Sequence, residues 1–261
     1  MSAGSKIPPA LDKIMDTVLA HDPRKKEGRA KEAVDSGSTE SWSVSIADIF
    51  ENSTVRLDAS HFDPKAVAAV QHLKESGLEL KRLSDVASVE LRGQFTRIWA
   101  KDEEYGVRYL NATDMLSLLA LGVPAGGQRF LSYATETNID RLLIREGWLL
   151  MTCSGTIGRV FYVPKCLNGW AATHDLIRIL PNVSGMTGYL HAWLTTPLAQ
   201  VQILSHTHGG QIDHVTDEQV SEILVPLLPQ ERIKRISKNV MKALHAREKA
   251  IKALTNAWRG L

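Results

Sequence analysis

The stretch at residues 148–158, Trp-Leu-Leu-Met-Thr-Cys-Ser-Gly-Thr-Ile-Gly, constrains the fold more than any other. Its unbroken apolar run gives way to Ser154, Gly155, Thr156 and Gly158, which predicts a buried strand ending in a tight loop. The loop has almost no side-chain bulk, so its backbone amides and the hydroxyls of Ser154 and Thr156 can approach something flat or anionic. A plainer use is also open: the two glycines supply positive φ angles for a hairpin. The loop lacks the Gly-Lys-Ser/Thr ending of a nucleotide-phosphate loop and the third glycine of a dinucleotide fingerprint. Its Gly155-x-x-Gly158 spacing follows a strand, whereas the same spacing in a KH domain joins two helices.

Around this strand, 261 residues are enough for one domain of ordinary size with appendages. A formal charge of only +2 means that a nucleic-acid footprint must come from local clustering. Cys153 and Cys166 are the only cysteines and form no Cys-x-x-Cys pair, which supports neither a disulfide framework nor a zinc ribbon and fits a reducing, cytoplasmic compartment. The N-terminus has no apolar signal-peptide core, and the most apolar span, 115–123, is too short to cross a bilayer, so no membrane partner is expected.

Residues 9–19 have the spacing of a short amphipathic helix, and 22–41 read as a polar linker; together 1–41 form an N-terminal appendage. Residues 42–46 alternate as a strand would, and 55–58 suggest another. A helix follows, with Asp63 as N-cap, Pro64 behind it, a stripe of Ala66, Val67, Val70 and Leu73, and Gly77 as its stop. A mainly β region opens at 80–87, with strands expected at 94–99, 107–110, 148–153, 159–163 and 176–180, and turn signals at 124–127 and 180–182. From Gly188 a largely buried helix is expected, bent or interrupted at Pro197. The segment 206–211 reads as a polar loop, and 222–228 as a further apolar run.

The last element is a long helix from about Pro229 to Trp258. Ile233, Val240, Leu244, Ile251, Leu254 and Trp258 fall on alternating three- and four-residue steps, with Ser237 and Arg247 at the intervening positions, the seam of a coiled-coil arm. Its other faces are basic. The helix either packs on its own domain with a solvated outer face or meets a partner helix, and its length and late apolar residues favour the partner.

Several segments in this order resemble the specificity (S) subunit of type I restriction-modification systems. They are Leu-Lys-Arg-Leu-Ser-Asp-Val-Ala at 80–87, Tyr-Gly-Val-Arg-Tyr-Leu-Asn-Ala-Thr-Asp-Met at 105–115, the strand and loop at 147–158, Tyr189-Leu190, Gly-Gly-Gln-Ile at 209–212, and Ile-Leu-Val-Pro-Leu-Leu-Pro-Gln-Glu-Arg-Ile at 223–233. The resemblance implies an α+β chain: a mainly β target-recognition domain with flanking helices over 42–228, then a long coiled-coil helix over 229–261. Family members commonly carry two recognition domains and two long helices. This sequence has no internal repeat and one copy of each, so it resembles a half-size form. Two such chains pairing antiparallel through their helices would form a homodimer with a palindromic split target.

The resemblance further implies that the chain performs no chemistry, holds no cofactor or metal and has no catalytic residues. It would bind double-stranded DNA and direct an adenine-specific methyltransferase subunit and a restriction nuclease-translocase subunit. The candidates for base and phosphate contacts are Arg92, Gln94, Arg97 and Lys101 in the first variable loop, Ser154, Gly155, Thr156, Gly158 and Arg159 at the central turn, His174, and His206, His208 and Gln211 in the later loop. The helix-interface set is Ile233, Val240, Leu244, Arg247, Ile251, Leu254 and Trp258. His174, His206, His208 and His214 lack a further ligand at diagnostic spacing for metal. Two rival classes are a coiled-coil adaptor without DNA specificity and a nucleotide-binding enzyme using the Ser-Gly-Thr-Ile-Gly loop.

Overall fold

The computed structural model describes residues 42–50, 61–121, 127–207 and 213–259. The expected N-terminal helix and linker, the strand at 55–58, most of the turn at 124–127, and the candidates His208 and Gln211 lie outside them. The chain is α+β, with helices α1 Ile46–Phe50, α2 Pro64–Glu75, α3 Leu83–Val86, α4 Ala112–Leu121, α5 Thr187–Leu194, α6 Pro197–Ser205, α7 Asp217–Ser221 and α8 Gln230–Arg259. Its strands are β1 Glu79–Arg82, β2 Ala87–Glu90, β3 Trp99–Ala100, β4 Gly106–Leu110, β5 Arg129–Ser132, β6 Leu149–Thr152, β7 Val160–Tyr162, β8 Ala171–Ala172, β9 Leu176–Pro181 and β10 Leu224–Leu227.

The apolar run at 149–152 is explained by its place in the middle of a four-stranded antiparallel sheet, ordered β2-β9-β6-β7. Successive side chains of a strand point to opposite faces. Leu149 and Met151 enter one core with Ile177, Ile179, Leu190 and Leu194, while Leu150 enters a second core with Phe161 and Leu176. Both faces are covered, so no alternation of apolar and polar residues survives in the sequence. A second four-stranded sheet, β3-β5-β4-β8, and a two-stranded pair, β1-β10, complete the domain.

Arg178 joins the two larger sheets. It is fully buried on β9, and its guanidinium donates to the carbonyls of Leu176 at 3.1 Å, Leu142 at 3.2 Å and Ala172 at 3.0 Å. Burial pulls its pKa down to about 10, which still leaves it charged at neutral pH.

Local rules held at the helix starts. Asp63 caps α2 by accepting from the Lys65 amide at 2.8 Å, and Pro197 opens α6 instead of bending one long helix, with Thr196 as its cap. The stripe on α2 is narrower than expected: Ala66 and Leu73 are buried, but Val67 is half exposed. Two expected strands are corrected. Residues 42–45 carry no regular structure and lead into α1, since a short alternating run needs a neighbouring strand and finds none among the described residues. The run at 94–99 pairs only at its end, where Trp99 and Ala100 face Leu131 and Phe130. The apolar span beginning at Met115 is helix α4, whose first turn is tied by the Asn111 amide donating to Asp114 at 3.0 Å.

The boundary at Pro229 separates elements in sequence but not in the core. Ile233 and Ser237 on α8 are 3% and 5% exposed, and Leu244 packs on the same cluster from its edge. Gly188 on α5 permits this docking: a Cβ there would stand 2.4 Å from the Ser237 carbonyl oxygen and 2.9 Å from its Cα.

Two substitutions test these contacts. Gly188→Ala forces α8 away from α5, and overpacking of this kind should cost about 1–3 kcal/mol in urea unfolding. Arg178→Met keeps the side-chain length but strips the Ala172 carbonyl of its donor, with an expected loss of about 1–3 kcal/mol. A wild-type urea midpoint for Arg178→Met would show that the guanidinium does not hold the sheets together.

Candidate nucleic-acid interface

Sheet register places three loops at one end of the domain. β2 runs antiparallel to β9 with Glu90 opposite Arg178, and β9 antiparallel to β6 with Leu176 opposite Thr152. The exits of β2 and β6 and the entrance of β9 therefore share an edge, from which residues 91–98, 153–159 and 173–175 emerge. Backbone bonds stitch them into a circuit. The Cys153 amide donates to the Asp175 carbonyl at 3.3 Å, the Val215 amide donates to the Cys153 carbonyl at 3.0 Å, and Ser154 forms a bridge with His214. Asp217 then accepts from the Leu91 amide at 2.9 Å, returning to the first loop.

Two of the sequence candidates, Arg97 and His174, meet here. Arg97 Nη2 lies 3.5 Å from Thr173 Oγ1, 3.3 Å from His174 Nδ1 and 3.9 Å from Asp175 Oδ2. The Thr173 hydroxyl donates to Asp175 at 3.0 Å, and His174 Nε2 is 3.5 Å from the other Asp175 oxygen. The Phe95 ring flanks both, 6.0 Å from His174 and 5.9 Å from the Arg97 guanidinium. Beneath them Tyr109 is buried, and burial raises its phenol pKa. Arg97 and Asp175 stay about one-third exposed, so a guanidinium held at this edge can exchange neighbouring oxygens for a base edge or phosphate.

Arg92 is differently occupied: it meets Glu90 at 2.5 Å and donates through Nε to the Arg141 carbonyl at 2.9 Å, which braces the loop. Gln94 lines a shallow hollow with Asn138 and Arg141, and Lys101 is exposed beyond β3.

The central turn divides between surface and core. Gly155 has φ +65 and is exposed, with nothing within 4 Å of where a Cβ would stand. Thr156 is exposed too, while its carbonyl accepts from the Thr152 hydroxyl. Gly158 is corrected as a contact residue. It is buried with φ +79, a Cβ there would meet Gln200 Oε1 at 2.7 Å, and its carbonyl accepts from Gln200 Nε2 at 2.8 Å. Arg159 is half buried, its amide donating to Thr152 Oγ1 at 3.0 Å. Burial raises the Cys153 thiol to about 11, so the cysteine of this turn is a neutral thiol and no nucleophile at neutral pH.

His206 lies next to His61, with ring centroids 5.7 Å apart. Among the described residues no group of three or more His, Cys, Asp or Glu is placed to hold a metal ion. The sequence reading missed Phe95, Thr173 and Asp175; the polar Thr-His-Asp triplet between two apolar segments was the available signal. On α8, Ile233 is corrected from a partner contact to a residue of its own domain's core. Arg247 and Ile251 line a cavity of about 520 Å³ with Tyr162, Cys166, His191 and Glu248. Burial, then the Arg247 charge, lowers the His191 pKa. Val240 is half buried, Leu254 is 47% exposed, and of Trp258 only the helical backbone is described.

No curated protein matches the chain. Among solved structures, it is similar to the HsdS subunit from Thermoanaerobacter tengcongensis, with 15% identity, a TM-score of 0.45 and coverage of 76% of this chain and 46% of that one. It is also similar to the type-I restriction-modification S subunit from M. genitalium, with 12% identity, a TM-score of 0.47 and coverage of 71% and 44%. A chain from a structure of type I R-M complex assembly shows 15% identity, a TM-score of 0.47 and coverage of 76% and 48%. The chain thus spans about half the length of these solved relatives. The family model described as "Type I restriction modification DNA specificity domain" matches residues 75–255, from the last turn of α2 nearly to the end of α8, and the chain belongs to that family.

Proposed function

We propose that this chain is the DNA-recognition subunit of a type I restriction-modification system, and that it binds duplex DNA without performing chemistry. The observation that carries the reading is the family match across the domain and its long helix. The grouping of Arg97, His174 and the central turn at one end of the sheet supports it, since these side chains offer hydrogen bonds and positive charge. In this reading an adenine-specific methyltransferase subunit and a nuclease-translocase subunit supply catalysis. Each copy reads one half-site, and two copies pair antiparallel through the late apolar residues of α8, Ile251, Leu254 and Trp258. The target is then split and palindromic.

Selection of bound sequences from a random duplex pool, followed by mapping of methylated adenines with the co-purified methyltransferase subunit, tests this directly. One split palindrome should emerge. Stabilisation by free nucleotide with no duplex selection would replace the reading by an enzymatic one.

Residue roles separate at the turn. Gly155→Asp adds a negative charge on the open side, at a positive φ that aspartate tolerates. It should keep melting within a few degrees of wild type and weaken duplex binding by about tenfold or more, or about 1.4 kcal/mol. Gly158→Ala should do the reverse in origin: the methyl meets Gln200, costing about 1–3 kcal/mol of stability, with any binding defect following from unfolding. A folded Gly155→Asp protein with normal affinity would remove the turn from the interface. Arg97→Gln should relax selection at one base position, at about 1–3 kcal/mol of discrimination, with little change at other positions of the selected site.

A further inference from the structure

The outer face of α8 carries a charged surface that the recognition loops do not share. At about 100° per residue, Lys234, Arg235, Lys238, Lys242, Lys249 and Lys252 fall within an arc of about 100° and extend over about 27 Å of helix. All six are exposed, with Lys252 at the rim of the cavity that Tyr162, Cys166 and His191 line. Lys234 meets Glu231 at 3.0 Å, while the other five have no carboxylate within ion-pair distance among the described residues. The same arc holds Glu231, His245, Ala253 and Asn256 and no large aliphatic side chain.

We propose that this stripe is a phosphate-tracking surface for duplex DNA, laid along the sugar–phosphate backbone without reading bases. The proposal rests on the DNA-recognition reading and adds a second contact, outside the loops. Charge complementarity selects the class of partner. Protein interfaces are depleted in lysine and bury an apolar centre, and this arc offers five lysines and no such centre. A membrane-surface helix needs a free apolar face, whereas the apolar face of α8 is committed to its own domain through Ile233, Ile236, Met241 and Leu244 and, in the proposed assembly, to the partner helix through Ile251, Leu254 and Trp258. A polyanion with regularly spaced charges and no apolar demand matches what remains. Lysine suits that task, because a flexible stem carrying a point charge follows phosphates without fixing a register.

The test uses the full chain and a random-sequence duplex long enough to span the helix. Binding is measured across a salt series for the parent and for the combined variant Lys238→Gln, Lys242→Gln, Lys249→Gln and Lys252→Gln. The slope of log affinity against log salt should become shallower by about 0.9 for every phosphate the variant no longer neutralises, or roughly 2–4 in all. Affinity at low salt should fall by more than about tenfold. Melting should stay at the parent value, because the four lysines are exposed. An unchanged slope in the variant, with the parent binding normally, overturns the stripe and leaves the recognition reading standing. A parent that binds no duplex at low salt overturns both. A variant that keeps the duplex slope but fails to capture the methyltransferase subunit assigns the stripe to a protein surface and overturns the proposal.

Discussion

Arg178 is the contact on which the arrangement of the loops depends. A buried guanidinium is costly unless its donors are met; here Nη1 and Nη2 meet backbone carbonyls instead of a carboxylate, while the buried Nε has no partner among the described residues. Two of those carbonyls, Ala172 and Leu176, flank the turn that presents Thr173, His174 and Asp175. The third, on Leu142, belongs to the segment that Arg92 also approaches through Arg141. The charge beneath the turn thus fixes both of its ends and ties the second sheet to the first. An aliphatic residue at this position would fill the space but leave the turn's ends without a common anchor.

From that anchor the character of the site follows. The 173–175 turn holds Arg97, the Asp175 carbonyl holds the Cys153 amide, and the next segment closes back on Leu91 through Asp217. The groups presented outward are the Arg97 guanidinium, the His174 imidazole, hydroxyls and backbone amides, with the Asp175 carboxylate beside them as the partner of Arg97. Cys153, the residue of the turn with nucleophilic chemistry, is buried as a neutral thiol. Such a surface has donors and acceptors to offer a large polar ligand, and it is held by backbone bonds more than by side-chain pairs. That favours discrimination by shape and donor placement, because little ordering remains to be done on binding.

The central strand and the helix starts were legible in the sequence because each depended on local rules: β6 on an apolar run, α2 on Asp63 and Pro64, α6 on Thr196 and Pro197. The errors share another cause. Gly158 and Gly155 look alike in sequence, and only the packing of Gln200 from α6 makes one a core residue and the other a surface one. The spacing of Ile233, Leu244 and Ile251 announces an apolar stripe but does not say what covers it. Part of that stripe is covered by α5 of the same domain. Residues 94–98 have strand-like composition, yet β5 meets only Ile98, Trp99 and Ala100, so residues 94–97 form the loop that carries Arg97. Arg97 and His174 come together through register between β2 and β9, a long-range relation with no local signature.

The same packing fixes the distance between the long helix and the loop end. α8 docks on α5 where Gly188 admits the Ser237 backbone, and Gln200 of α6 bonds both the Leu194 carbonyl at the end of α5 and the Gly158 carbonyl of the central turn. A continuous set of packed elements, with no linker in it, thus runs from the helix to the turn. A displacement of α8 must shift α5 or open the Ser237 contact, because close-packed interiors transmit strain instead of absorbing it. If the helix sets the spacing of two half-sites, as the proposed assembly requires, that spacing is a property of the folded core. The axis of α8 and the recognition loops then belong to one rigid unit, and the separation of the half-sites is set by helix length and docking angle rather than by flexible chain.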